Sequence, residues 1–392
     1  MRKLLLLAVL VPLVLAVGWY YFHERTLPAY GPLYREYAYV TNGKSNTVTV
    51  IDLRSFRPVR TLQVGTEPTG VAANPKRNEV YVVNSVSSNV SVIDAEQNKV
   101  VATVGVYGRP FFIDVSPDGR RAYVANSGSA NVSVIDLDRR AVAATLHVGG
   151  SPGLARVSPD GSTVVVSNRA DNSVSIIDTA RLAVRSAINI CIHPEDIAIL
   201  PDSSKAFVSC SGSGQVASIA LKNATQNDKL LTLLDVGKSP VSLALKPDGG
   251  ELVAFNFDAG SISIIETTPN EVSGSYLIGA QPTRGVVSLD NSRLYVSNFG
   301  SNNIAVYDID LGKIIAYLPV GTHPDALALW QNQNYLLVVD SGSGDLAVIQ
   351  KRQPKKKFEP SEYSLLTIIP VGMQPNQIVV KSFLATKLLD GR

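Results

Sequence analysis

The chain has 392 residues, and 36 Lys and Arg against 33 Asp and Glu leave a formal charge of +3. That balance argues against nucleic acid as the main partner. The length exceeds the usual size of one compact core, but a ring of repeats grows without enlarging any single core.

Residues 1–23 differ in character from the remainder of the chain. Arg2 and Lys3 precede an apolar run over residues 4–17, and the aromatic group Trp19, Tyr20 and Tyr21 comes before the next charge, Glu24. Two readings stay open: a cleaved secretory signal with Ala16 and Gly18 as small residues, or an uncleaved signal-anchor helix in the inner membrane. Both export the rest of the chain. A linker over 24–36 leads into a repeat domain over 37–392.

The repeat starts from Ala38-Tyr39-Val40-Thr41-Asn42. Taking the last residue as marker, copies end at Asn42, Asn84, Asn126, Asn168, Cys210, Asn256, Asn298 and Asp340, in steps of 42 with one of 46. Ten residues after the marker a second β-branched run ends, as in Val50-Ile51-Asp52 and Val134-Ile135-Asp136. A third run and a Val-Gly-x-x-Pro break come next, with prolines at 68, 110, 152, 194, 240, 282, 324 and 375. After each proline a short apolar run ends in a turn such as Ser116-Pro117-Asp118-Gly119. Many of these strands are apolar on both faces, which suits sheets covered on both sides.

Four strands per repeat and eight repeats predict an all-β fold, a propeller of eight four-stranded blades, with seven as the alternative. The first repeat lacks a Pro-led strand and the last ends with an extra one, Asn376-Gln377-Ile378-Val379-Val380. Pairing that strand with Tyr39-Val40-Thr41 closes the ring and removes two open edges. The basic run Lys355-Lys356-Lys357 reads as a solvated loop.

The Tyr-Val-Thr-Asn segment, the Val-Ile-Asp runs, the Val-Gly-x-x-Pro breaks and the Ser-Pro-Asp-Gly turns resemble the YVTN family of β-propeller repeat proteins over about residues 37–380. The resemblance implies an exported propeller, of a kind found in surface-layer and periplasmic proteins. Members of that family are often seven-bladed. It carries little about function.

Function is sought where the repeats differ. Residues beside each proline ring one face: Glu67, Arg109, Ser151, His193, Ser239, Gln281, His323 and Gln374, with Phe111, Phe112, Glu195, Asp196, Arg284, Asp325 and Asn376 just below. From these, Arg109, Phe111, His193, Glu195, Asp196, Arg284, His323 and Asp325 form the expected ligand site. His193 and His323 are also candidate ligands for Zn, Cu or Fe, although they enter different blades. Cys191 takes the Gly slot of a break and Cys210 the Asn slot of a marker, and a disulfide between them is expected in an exported protein. No haem-attachment, phosphate-loop, His-Glu-x-x-His or calcium-loop motif occurs in the sequence.

The expectation is therefore an exported, non-catalytic binding module without a cofactor. It is periplasmic or otherwise extracytoplasmic, monomeric, and holds a protein or small ligand at the variable face. The alternative is a metal- or cofactor-dependent oxidoreductase or hydrolase using His193 and His323.

Overall fold

The computed structural model describes residues 31–222, 226–330, 334–352 and 362–386. The apolar N-terminal segment and the Lys355 to Lys357 loop lie outside the described residues. The strands form eight four-stranded antiparallel sheets. The chain is an eight-bladed β-propeller, and the seven-bladed alternative falls.

Blades 2 to 8 each take four consecutive strands from the centre outward. Their innermost strands are Pro68–Ala73, Pro110–Val115, Pro152–Val157, Pro194–Ile199, Pro240–Leu245, Pro282–Val287 and Pro324–Leu329. Blade 1 is assembled from both ends of the chain. Its innermost strand is the C-terminal Pro375–Leu384, paired antiparallel with Tyr34–Asn42 so that Tyr39 faces Val379. The innermost strands abut all the way round, the C-terminal one lying between those of blades 8 and 2. The opening strand begins three residues ahead of the expected boundary at Tyr37, because Tyr34, Arg35 and Glu36 pair with Leu384, Phe383 and Ser382.

Within a blade, burial follows position. Thr163–Asn168, the second strand of blade 4, is buried along its whole length, whereas the outermost strand of blade 7, Lys313–Pro319, alternates exposed and half-buried. Each inner strand is covered by the neighbouring blade on both faces, so β-branched residues are favoured at every position rather than every second one. Valine or isoleucine fully buried in this way contributes about 1.5–3 kcal/mol. The third and fourth strands of every blade slip register at the same point, as between Val50 and Ile51 or Val92 and Ile93. That bulge adds local twist in each blade.

The repeated polar residues hold the turns. Asp94 Oδ1 accepts the backbone N–H groups of Glu96 and Gln97, and Asp136 does the same for Asp138 and Arg139. This Asx turn explains the Asp of each Val-Ile-Asp run. The marker Asn is buried and donates through its amide: Asn42 to Thr47 and Thr49, Asn168 to Ser173 and Ser175. Its side chain leaves no room for a Cβ on the Gly of the preceding break, where one on Gly65 would lie 2.7 Å from Asn84 Cβ. In blade 5 both members of this contact are replaced together. Cys191 and Cys210 are joined as a buried disulfide with Cα atoms 5.7 Å apart.

Candidate functional site in the central funnel

The residue before each blade-opening proline has a positive φ, from 48° at Gln374 to 58° at His193, and none of the eight is glycine. L-residues pay about 1–3 kcal/mol for that conformation. A backbone hydrogen bond recurs there in all eight blades: the residue after the marker donates to the carbonyl of the positive-φ residue, as Ser127 to Arg109 and Ser341 to His323. The left-handed residue thus sets where the innermost strand enters the ring, and the side chains one and two positions after the proline face the centre.

There they enclose a cavity of about 300 Å³ to which all eight blades contribute. Phe111 and Phe112 come from blade 3, Arg156 and Arg169 from blade 4, Glu195 and Asp196 from blade 5, Phe257 from blade 6, Arg284 from blade 7 and Asp325 from blade 8. A second cavity of about 300 Å³ shares Arg156 and Asp196 and runs on along Asp114 and Ile197. These two shared residues divide the channel.

Five of the eight residues singled out in sequence, Phe111, Glu195, Asp196, Arg284 and Asp325, line the upper cavity. The other three, Arg109, His193 and His323, are the positive-φ residues and stand exposed on the rim. His193 Nδ1 lies 2.8 Å from Glu195 Oε1. His323 stacks on Phe299 with ring centroids 4.3 Å apart and planes within 7°. The two histidines therefore have separate partners, Glu195 on blade 5 and Phe299 on blade 7, and no group of three metal-ligating side chains occurs among the described residues.

Arg156 and Arg169 were not legible as site residues. Arg169 directly follows a marker Asn, where most repeats have Ser or Phe, and that departure was the available signal. It crosses blade 4 because Gly153 has no side chain: a Cβ there would stand 2.7 Å from Arg169 Nε. Its guanidinium sits 4.5 Å from the centre of the Phe111 ring and binds Glu195 at 2.8 Å. One layer down, Arg156 lies 4.6 Å from the Phe112 ring centre, with Asp196 at 3.8 Å. Cation–π contact and ion pairing together fix both arginines.

The carboxylates do structural work. Asp196 accepts from Ser242 Oγ and from the backbone N–H groups of Leu243 and Ile197. Asp114 likewise accepts from the N–H of Val157 on the next blade. Each caps an edge N–H that no fifth strand satisfies. Burial pushes the Asp114 carboxyl above its usual range, partly offset by Arg156. Ser167 Oγ and Ser297 Oγ donate to the carbonyls of Glu195 and Asp325, which ties these residues to the preceding blades.

A family model described as YNCE-like beta-propeller matches residues 29–158, about the first three blades. It supports a β-propeller repeat architecture. No curated protein matches the sequence significantly. Among solved structures, dihydro-heme d1 dehydrogenase NirN in complex with DHE superposes with a TM-score of 0.73 at 16% identity, covering 91% of this chain and 78% of that one. Kuenenia stuttgartiensis hydrazine synthase gives 0.56 at 23% identity, over 69% and 91%. A functionally unknown protein from Desulfotomaculum acetoxidans gives 0.58 at 15%, over 72% and 95%. At these identities the likeness is one of fold.

Proposed function

We propose that this chain is an exported binding propeller of the YVTN type, which holds a small ligand at the upper funnel without transforming it. The observation that carries this reading is the cavity itself. It is built from positions that vary between repeats of one pattern, and it gathers three aromatic rings and three arginines on one ring. Export rests on the basic, apolar and aromatic order of residues 1–23, with the propeller on the outer side of the cytoplasmic membrane.

The test is to purify untagged wild-type protein and a Phe111→Ala/Arg169→Gln variant from the native envelope without chelators, then compare native mass spectra, metal content and visible absorption. A small-molecule mass adduct present on wild type and lost from the folded variant supports the proposal. One equivalent of bound metal or a chromophore, with turnover that a His193→Ala/His323→Ala change abolishes, would replace it with the oxidoreductase reading.

A further inference from the structure

The hydrogen-bonding groups of the funnel are spent unevenly. Glu195 receives Arg169, His193 Nδ1 and Ser211 Oγ, and Asp196 receives one hydroxyl and two backbone N–H groups. Acceptor capacity at Glu195 and Asp196 is therefore met largely by the protein, while the Asp325 carboxylate accepts no hydrogen bond among the described residues and has its ion pair with Arg284 at 3.3 Å. The protein leaves donor capacity largely unmet. No hydrogen bond from the guanidinium of Arg156 or Arg284 is formed among the described residues; their nearest carboxylate contacts are ion pairs at 3.8 Å and 3.3 Å. Arg169 uses one amino group, and its Nε is buried with no acceptor.

Arg156 and Arg284 are 37% and 41% exposed, so solvent in the cavity meets their free N–H groups. A ligand that brings charged acceptors takes the place of that solvent, whereas a cationic ligand must compete with arginines already at the carboxylates. Around these donors the wall is apolar: Phe111, Phe112, Leu154, Val241 and Phe257. Resting on the reading of the funnel as a ligand site, we infer that it takes a small organic anion, a carboxylate carried on a planar apolar body. Arg156, Arg169 and Arg284 meet its oxygens, and the phenylalanines meet its body.

The experiment is isothermal titration calorimetry of the full chain with three probes of similar shape: 2-naphthoate, neutral 2-naphthamide and cationic 2-naphthylmethylammonium. Naphthoate is expected to bind best. Arg156→Gln and Arg284→Gln are each expected to weaken it at least about tenfold, the loss of a charge-assisted bond, while Arg60→Gln on the outermost strand of blade 1 leaves it unchanged. Thermal melts confirm that each variant is folded. Equal or tighter binding of the cation, or naphthoate binding that survives both arginine changes, overturns the inference. If in that case Phe111→Ala abolishes binding of the preferred probe, the funnel remains the ligand site and only the ligand class is wrong. If none of the three probes binds, the anion inference is overturned, and the adduct comparison on native protein separately decides the broader reading.

Discussion

Asp340 stands where six other blades carry the buried marker Asn. An Asn amide donates to the next strand, but a carboxylate has no N–H, and the residue it faces is Asp345. Burial first and Asp345 second push the Asp340 carboxyl up to about 8. The folded state thus retains a proton that the unfolded chain releases near pH 4, so stability falls as pH rises from about 4 to about 8 and levels off above. Asp340→Asn restores the donor. It is expected to remove that slope and to gain about 1–3 kcal/mol at pH 9, read by urea melts at pH 5 and pH 9. A variant with the wild-type slope would show that Asp340 is ionised in the folded protein.

The disulfide is a second departure of single residues from the repeat. Reduction is expected to cost about 2–4 kcal/mol, measured as the change in denaturant midpoint with and without dithiothreitol. Cys191→Gly with Cys210→Asn reinstates the Gly–Asn contact of five other blades. Recovery should be partial, because the second acceptor position is Ala217, with no hydroxyl, where blade 4 has Ser175. Full recovery would show that the Asn hydrogen bonds contribute little.

At the scale of the element, the C-terminal strand matters most. It seals the inner edge of Tyr34–Asn42 and the gap between blades 8 and 2. Lys381 on it is buried and donates to the carbonyl of Asn74 at 2.6 Å, and burial holds its pKa below the usual lysine value. Ending the chain at residue 374 exposes the inner edge of Tyr34–Asn42 and opens the gap between blades 8 and 2. The truncated protein is expected to lose its cooperative melt and to elute as aggregate in size-exclusion chromatography. A monomer with an unchanged melt would mean that the ring tolerates an open blade. This closure was legible from counting Pro-led strands, since one repeat lacked what another had spare. Arg156, four residues after Pro152 within an apolar strand, was not legible, because nothing in the strand pattern says which positions turn toward the channel.

For the whole molecule, closure brings the ends together: the Ala385 N–H donates to the Leu33 carbonyl at 2.8 Å. A circular permutant that joins residue 386 to residue 31 through a short linker, with new ends at the Pro201-Asp202-Ser203 turn, is therefore expected to fold with a wild-type circular dichroism spectrum. Failure to fold would show that the order of strand synthesis, and not only the final pairing, is required.

Composition and the 42-residue period were sufficient for the all-β class and the pairing of the two terminal strands, and they favoured eight blades over the seven that the structure then ruled out. Each is a consequence of local residue chemistry repeated along the chain: β-branched runs, Asx turns and proline breaks. The character of the funnel was decided only by the tertiary structure. Whether an arginine has spent its donors depends on residues from other blades, such as Asp196 for Arg156 and Asp325 for Arg284. These partners lie about one repeat apart in sequence, and only curvature of the ring places them at one centre.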